Sequence, residues 1–373
     1  MTVKRVLSRA LALTCLLITI PAWAQQPPAS KPRLHLKTVS CIDSQGIGTE
    51  AFSVLAPTDW NVECRVQWRL NNPFMPAVLA FVARGPDNLT QLELLPAQTF
   101  FWTDNGALRR VFPPGSTYLG CEMREPVEAA AALTEVVIPR FRSAVGHVRV
   151  VGQQSLPALT IGLPALVELG PEQSISASAA RCRIEYAVAG KPVIEDLYCL
   201  VESDTSGVPS LDGLITNTLW STQYLFALRL PKDAPTAALL PLQSILYTFR
   251  VNPDWFSRNR QLVRLLVVNQ VQQVQSMAEL SRYLARTSEE IDAETMSAYS
   301  RRQLIYDRIA LDLSPALPGV EQYLDPDTGQ VIELPAGYAH AWTNGAGEYL
   351  LADSPGASAA VPATPPWRAL VKQ

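Results

Sequence analysis

A short run near the end of the chain carries the residue types best suited to recognition. Along residues 338–344, strand alternation puts Tyr338, His340, Trp342 and Asn344 on one face. After the turn Asn344-Gly345-Ala346-Gly347 come Glu348 and Tyr349, with Glu348 in reach of Asn344 or His340. Aromatic rings with polar tips on a small sheet are common material for binding peptides or sugars. The same Tyr338 and Trp342 would equally serve to glue that sheet onto a neighbouring helix.

Groups for covalent chemistry are sparse. The chain has 3 histidines and shows no G-x-S-x-G elbow, no H-E-x-x-H and no phosphate loop. Gly46-Ile47-Gly48 lacks the third glycine and following helix of a phosphate cradle and reads as a turn. Asp59, Glu63, Glu195 and Asp196 have no spacing that sets a glycosidase pair. A thiol protease would need an unpaired cysteine to meet His147 or His340. No C-x-x-C or C…H spacing suggests a metal. The expectation is no catalytic set, no metal and no cofactor, with another protein as partner. The alternatives are an exported hydrolase with a site in a groove, or a cell-wall or ligand-binding module using the aromatic face.

Lys4, Arg5 and Arg9 precede an apolar run of 11 residues, 10–20, followed by Pro21 and the cleavage pattern Ala22-Trp23-Ala24. Residues 1–24 therefore read as a signal peptide, too short for the ~20 residues that span a bilayer. The expected location is the periplasm or outside the cell, with no membrane span after cleavage. Without those residues the chain holds 28 basic and 34 acidic residues, a net charge of −6, which disfavours nucleic acid and anionic membranes.

An oxidising compartment permits disulfides. Residues 181–201 read as a hairpin around Ala189-Gly190-Lys191-Pro192, and centring it on Gly190-Lys191 sets Cys182 opposite Cys199, at disulfide spacing. The same register puts Glu185 opposite Asp196. Cys41, Cys64 and Cys121 cannot all pair with one another, and their pairing is left open.

Period-two patterns predict strands at residues 34–41, 50–55 and 61–70, then at 78–84, 91–95 and 116–122. A helix follows at 126–137, with Pro126 in its first turn and Pro139 ending it. Strands return at 147–153, in the cysteine hairpin and at 221–230, and a second helix covers 234–250. Hairpins with segregated helices argue for an α+β fold over residues 34–250, an antiparallel sheet with flanking helices. Residues 251–313 form a long helical segment with the stripe Leu262, Leu266, Gln273, Met277, Leu280, Leu284, Ile291, Ala298, Ile305 and Ile309. If continuous it would run roughly 85 Å, with 295–300 as a candidate break. It either packs on its own domain or pairs with a second copy in a homodimer. Pro315 and Pro318 stop it. A small β-meander, 314–353, is built from two hairpins, and 354–373 is a loose tail rich in proline and alanine.

The segment Ala51-Phe52-Ser53-Val54-Leu55-Ala56-Pro57-Thr58-Asp59-Trp60 resembles the opening strand and proline-tryptophan turn of the PsbP/Mog1-like sandwich. That resemblance covers roughly residues 37–250. It implies an antiparallel sheet flanked by helices, in a family where the fold works as a non-catalytic protein-binding body. The pattern Asp-Pro-x-Thr-Gly, Glu-Leu-Pro-x-Gly-Tyr, Trp-x-Asn, Gly-Glu-Tyr over residues 325–349 is similar to the end of uncharacterised secreted bacterial proteins. It implies a sandwich, a helix and a meander in series, and supplies no activity.

Overall fold

The first alternating segments become strands β1 (Leu34–Ile42), β2 (Glu50–Pro57) and β3 (Asn61–Trp68). The computed structural model describes residues 32–163, 173–210, 213–269, 271–288, 290–314 and 317–373. The expected signal peptide, residues 25–31 and Pro315 lie outside the described residues. The strands continue with β4 (Ala77–Arg84), β5 (Gln91–Leu94), β6 (Gln98–Thr103), β7 (Thr117–Tyr118), β8 (Cys121–Met123), β9 (Arg149–Ser155), β10 (Gln173–Val188), β11 (Lys191–Ser210), β12 (Gly213–Pro231) and β13 (Arg250–Val251). The C-terminal part adds β14 (Val320–Leu324), β15 (Val331–Pro335), β16 (His340–Thr343), β17 (Glu348–Ala352), β18 (Arg368–Ala369) and β19 (Val371–Lys372). Mixed sheets and helices of this kind make the fold α+β.

The large sheet runs β3-β4-β5-β12-β11-β10-β9, with β6 also on β12. Its two faces are both covered. Beyond the short helix α1 (Gly106–Val111), one carries a helical stretch, α2 (Ala129–Ala132), a π-turn at Leu133–Val137 and α3 (Ile138–Phe141), whose Leu133, Val136 and Val137 pack on Ile184, Leu197 and Cys199. Pro139 does not end this helix. It has no N–H to give, and the π-turn just before it absorbs the mismatch. The other face meets the second sheet, β13-β2-β1-β17-β16-β18, and the helices that follow β12. The rings of Phe52, Phe81, Phe226, Phe249 and Tyr306 meet there, Phe249 and Tyr306 at 4.8 Å between centroids.

The long helical segment is three helices: α5 (Pro253–Val268), α6 (Met277–Leu284) and α7 (Ala293–Leu313), preceded by α4 (Leu239–Thr248). Each start has a cap. Asn252 accepts from Asp254 N and Trp255 N, Ser276 Oγ accepts from Glu279 N while Glu279 Oε2 accepts from Gln275 N, and Asp292 accepts from Thr295 N. Residues 295–300 lie inside α7, not at a break. Leu262, Leu266, Leu280, Leu284, Ile305 and Ile309 of the stripe are buried in the chain's own core, while Gln273 and Met277 are exposed. Buried Gln243 closes the end of α7, donating Nε2 to the Ala310 and Leu317 carbonyls.

The meander is not a separate body either. Its second hairpin extends the sheet of β1, since β17 pairs β1, while its first joins β19 in a three-stranded sheet. The tail is ordered into both: Arg368 faces Thr343 across β18–β16, and Val371 faces Leu324.

The cysteine hairpin forms, but two residues out of the expected register. Ala189 and Gly190 have φ of 48° and 78°, so they are the turn, with glycine at the second central place where positive φ is cheapest. Cys182 then faces Leu197 and Cys199 faces Ala180. Both thiols are free and buried, and the Cys182–Cys199 disulfide is ruled out. In the true register Asp196 faces Arg183, which grips it through Nε (2.8 Å) and Nη2 (2.7 Å), in place of the expected Glu185–Asp196 opposition. The disulfide is Cys41–Cys64, Cα–Cα 5.9 Å, tying β1 of one sheet to β3 of the other.

Beside it, Asp43 is 1% exposed and accepts four hydrogen bonds: Gly46 N and Ile47 N (3.0 Å each), Trp68 Nε1 (2.8 Å) and Trp255 Nε1 (2.9 Å). Gly46 is needed there because a Cβ would lie 2.1 Å from the Trp68 ring.

Asp43→Ala is expected to destabilise the fold by about 3 kcal/mol, because it strands buried indole and amide donors; urea unfolding measures it. Alkylation with mass spectrometry is expected to label Cys121, Cys182 and Cys199 only after denaturation, and Cys41 and Cys64 only after reduction.

Candidate binding cleft

A cleft of about 530 Å³ opens between β11–β12 and the helices α5 and α7, within the usual size of small-molecule sites. Strand alternation builds its floor. Along β11 the even residues Tyr198 and Leu200 join the helix-side core, and the next two on that face, Glu202 and Asp204, line the cleft. On β12 a bulge sets two residues, Tyr224 and Leu225, against Cys199, because Tyr198 pairs Phe226 while Leu200 pairs Gln223. Alternation breaks there, and two consecutive residues, Gln223 and Tyr224, both line the cleft.

Tyr224 has φ +51°, a region that bulky side chains rarely occupy. Its ring lies under the Arg302 guanidinium, 5.3 Å from Cζ, and Phe256 covers the guanidinium at 5.5 Å. Gln223 stands between acid and base. Its Nε2 donates to Glu202 Oε2 (2.6 Å) and Ser221 Oγ (3.1 Å), and its Oε1 accepts from Arg302 Nη2 (3.2 Å). Part of Glu202 still meets solvent along the open side. Burial nevertheless pushes its carboxyl above the ordinary range, outweighing Arg302 and the Gln223 bond, which pull it down. Burial also raises Asp204. Arg260 is engaged by Glu294 (2.8 Å) and Arg301 by Ser297 Oγ (2.9 Å). Asn259 Oδ1 is buried in the lining with no partner among the described residues. Apolar walls come from Phe74, Val78, Leu94, Leu219 and Trp255.

The expected recognition face is occupied by the chain itself. Tyr338 is 2% exposed, packs in the main core and donates its hydroxyl to the Pro32 carbonyl (3.1 Å). Strand β16 begins only at His340, so the alternation does not reach back to Tyr338. Trp342, 7% exposed, belongs to a different small core with Leu350, Val361 and Trp367 of the tail, and His340 leans on it at 5.7 Å. Asn344, 4% exposed, holds its own turn, bonding Glu348 Oε2 (3.0 Å) and accepting from Ala346 N (2.8 Å).

Glu348 also reaches His35 Nε2 (3.3 Å), whose Nδ1 lies 3.2 Å from Thr58 Oγ1. This links a hydroxyl, an imidazole and a carboxylate, but none of the three lines the cleft. The free thiols do not join any histidine pair, and burial pushes Cys121, Cys182 and Cys199 away from the reactive thiolate. His147 sits in a turn at φ +53° beside Arg149, Glu185 and Lys232, ahead of the strand expected to contain it. Among the described residues no cluster of His, Cys, Asp and Glu could hold a metal, and no helix is long and apolar enough to cross a membrane.

Sequence reading missed Glu202, Gln223, Tyr224 and Arg302. Arg301-Arg302 reads as a solvated pair, and a bulge leaves no mark in alternation until the partner register is known. No family model, curated protein or solved structure matches this chain.

Two outcomes test the cleft's strain and electrostatics. Tyr224→Gly is expected to be more stable than Tyr224→Ala by about 1 kcal/mol, the cost of a Cβ at positive φ; thermal unfolding compares them. Because Glu202 binds its proton more tightly folded than unfolded, its ionisation penalises the fold as pH rises through the folded-state pKa. Glu202→Gln is therefore expected to unfold at a higher temperature than the native chain at about pH 8, the gain vanishing towards about pH 4.

Proposed function

We propose that this is an exported, non-catalytic binding and scaffold factor that acts by contact, with another protein as its partner and the cleft as its recognition site. A PsbP/Mog1-like body, a signal peptide and a periplasmic or secreted location belong to this reading. The Cys41–Cys64 disulfide supports the oxidising compartment. The observation that carries the contact role is the make-up of the cleft: apolar walls, a few charged side chains and, among the described residues, no histidine or cysteine in its lining to pair as base and nucleophile. The Thr58–His35–Glu348 chain favours a hydrolase as the second reading, since its order is that of a hydroxyl activated through a histidine.

Nile red, a neutral apolar dye, is expected to brighten on the native chain and not on Ala298→Trp, which fills the cleft from α7. Equal brightening of both would remove the cleft as the site. Turnover of chromogenic esters, lost in both Thr58→Ala and His35→Ala, would replace the binding reading with the hydrolase.

A further inference from the structure

The charges of the cleft are unequally committed. Arg260 pairs with Glu294 through Nη2, and Arg301 reaches the Ser297 hydroxyl. Arg302 has more partners: of the five N–H donors a guanidinium carries, Nη2 goes to Gln223, and the Tyr224 and Tyr306 phenols also hydrogen-bond the group, which leaves donors over. Its two faces are taken by Tyr224 and Phe256, so a further partner meets only the part of its edge that Gln223 and the two phenols leave. Its natural counter-ion, Glu202, is diverted: Gln223 sits between them and satisfies the carboxylate itself. The fixed, flat presentation of that edge comes from Tyr224, held at positive φ by the bulge, and strain of this kind persists only where the surroundings enforce it. Asn259, one helical turn beyond Phe256, adds an amide whose buried Oδ1 has no partner among the described residues. An amide turned by half a rotation would present its N–H₂ there instead.

Resting on the binding reading above, we propose that the cleft selects an amphipathic carboxylate, an apolar chain whose anionic end meets the remaining donors of Arg302 while the chain lies against Phe74, Val78, Leu94 and Leu219. A planar fork of donors matches a carboxylate better than a point charge does. Burial, which holds Glu202 and Asp204 towards their neutral forms, lessens the repulsion such an anion would meet. A fatty acid and the free C-terminus of an apolar peptide share this chemistry.

The experiment displaces Nile red from the full chain with dodecanoate, dodecanol and dodecylammonium, and with an apolar tripeptide as free acid and as amide. Dodecanoate is expected to bind about tenfold more tightly than dodecanol, the worth of one charge-assisted hydrogen bond, and dodecylammonium least well. Arg302→Gln is expected to bring dodecanoate down to dodecanol and leave dodecanol unchanged, with thermal unfolding checking that the variant folds. The selectivity of the native chain decides the matter even where that variant does not fold. A peptide acid preferred over its amide and over dodecanoate assigns the carboxylate to a protein terminus; the reverse assigns it to a fatty acid. Equal binding of acid, alcohol and ammonium, or preference for ammonium, overturns the proposal and leaves the binding reading standing. Failure of every amphiphile to displace a dye that also ignores Ala298→Trp overturns both.

Discussion

Asp43 is a buried carboxylate that owes its place to four hydrogen-bond donors. Two come from its own turn, one from Trp68 on β3 and one from Trp255 on α5, so a single side chain joins both sheets and a helix. A carboxyl group without a cation partner is tolerable at that depth only when its lone pairs are filled by donors. The Cys41–Cys64 bond crosses the same junction covalently, limiting how far the sheets can separate. Trp255 and Phe256 of α5 are also cleft walls. The clasp on Asp43 thus sets where one side of the cleft stands.

The large sheet has a second buried polar node on its other side. Glu195, fully buried, takes Arg142 in a two-pronged pair (2.8 Å each) and the Tyr186 hydroxyl (3.1 Å), while Arg142 also reaches Glu93 (2.9 Å). Burial and the neighbouring carboxylate push the Tyr186 phenol up to about 12, so it stays a donor to Glu195 across physiological pH. Every charge there has a partner, which is the condition under which a buried network specifies a fold instead of weakening it. The cleft differs in kind. Its acid and base are kept apart by Gln223, and its tyrosine is strained.

The aromatic C-terminal face shows how little residue type says about use. Tyr338 and Trp342 pack into two different cores, and the proline-rich tail folds back to supply Trp367, whose ring also meets His35 edge-on at 5.4 Å. Apolar surface on this face is covered by the chain's own residues 357–367, and their burial adds the return of β18 and β19 to the fold.

Alternation alone determined most strands, from residues 34–41 to the C-terminal hairpins, because side chains on opposite faces of a strand meet different solvents. The helix caps at Ser276 and Asp292 are local too, yet the candidate break at 295–300 missed both and fell inside α7. The α+β class followed from the order of these pieces. Register did not, since moving the turn from Gly190-Lys191 to Ala189-Gly190 separates Cys182 from Cys199, and local sequence barely distinguishes the two. Nor did the Cys41–Cys64 pairing, the clasp of Asp43 on two tryptophans, or the cleft. Each joins residues from elements far apart in the chain, and its energy exists only once the sheets and helices have packed. Only tertiary structure could set Arg302 over Tyr224.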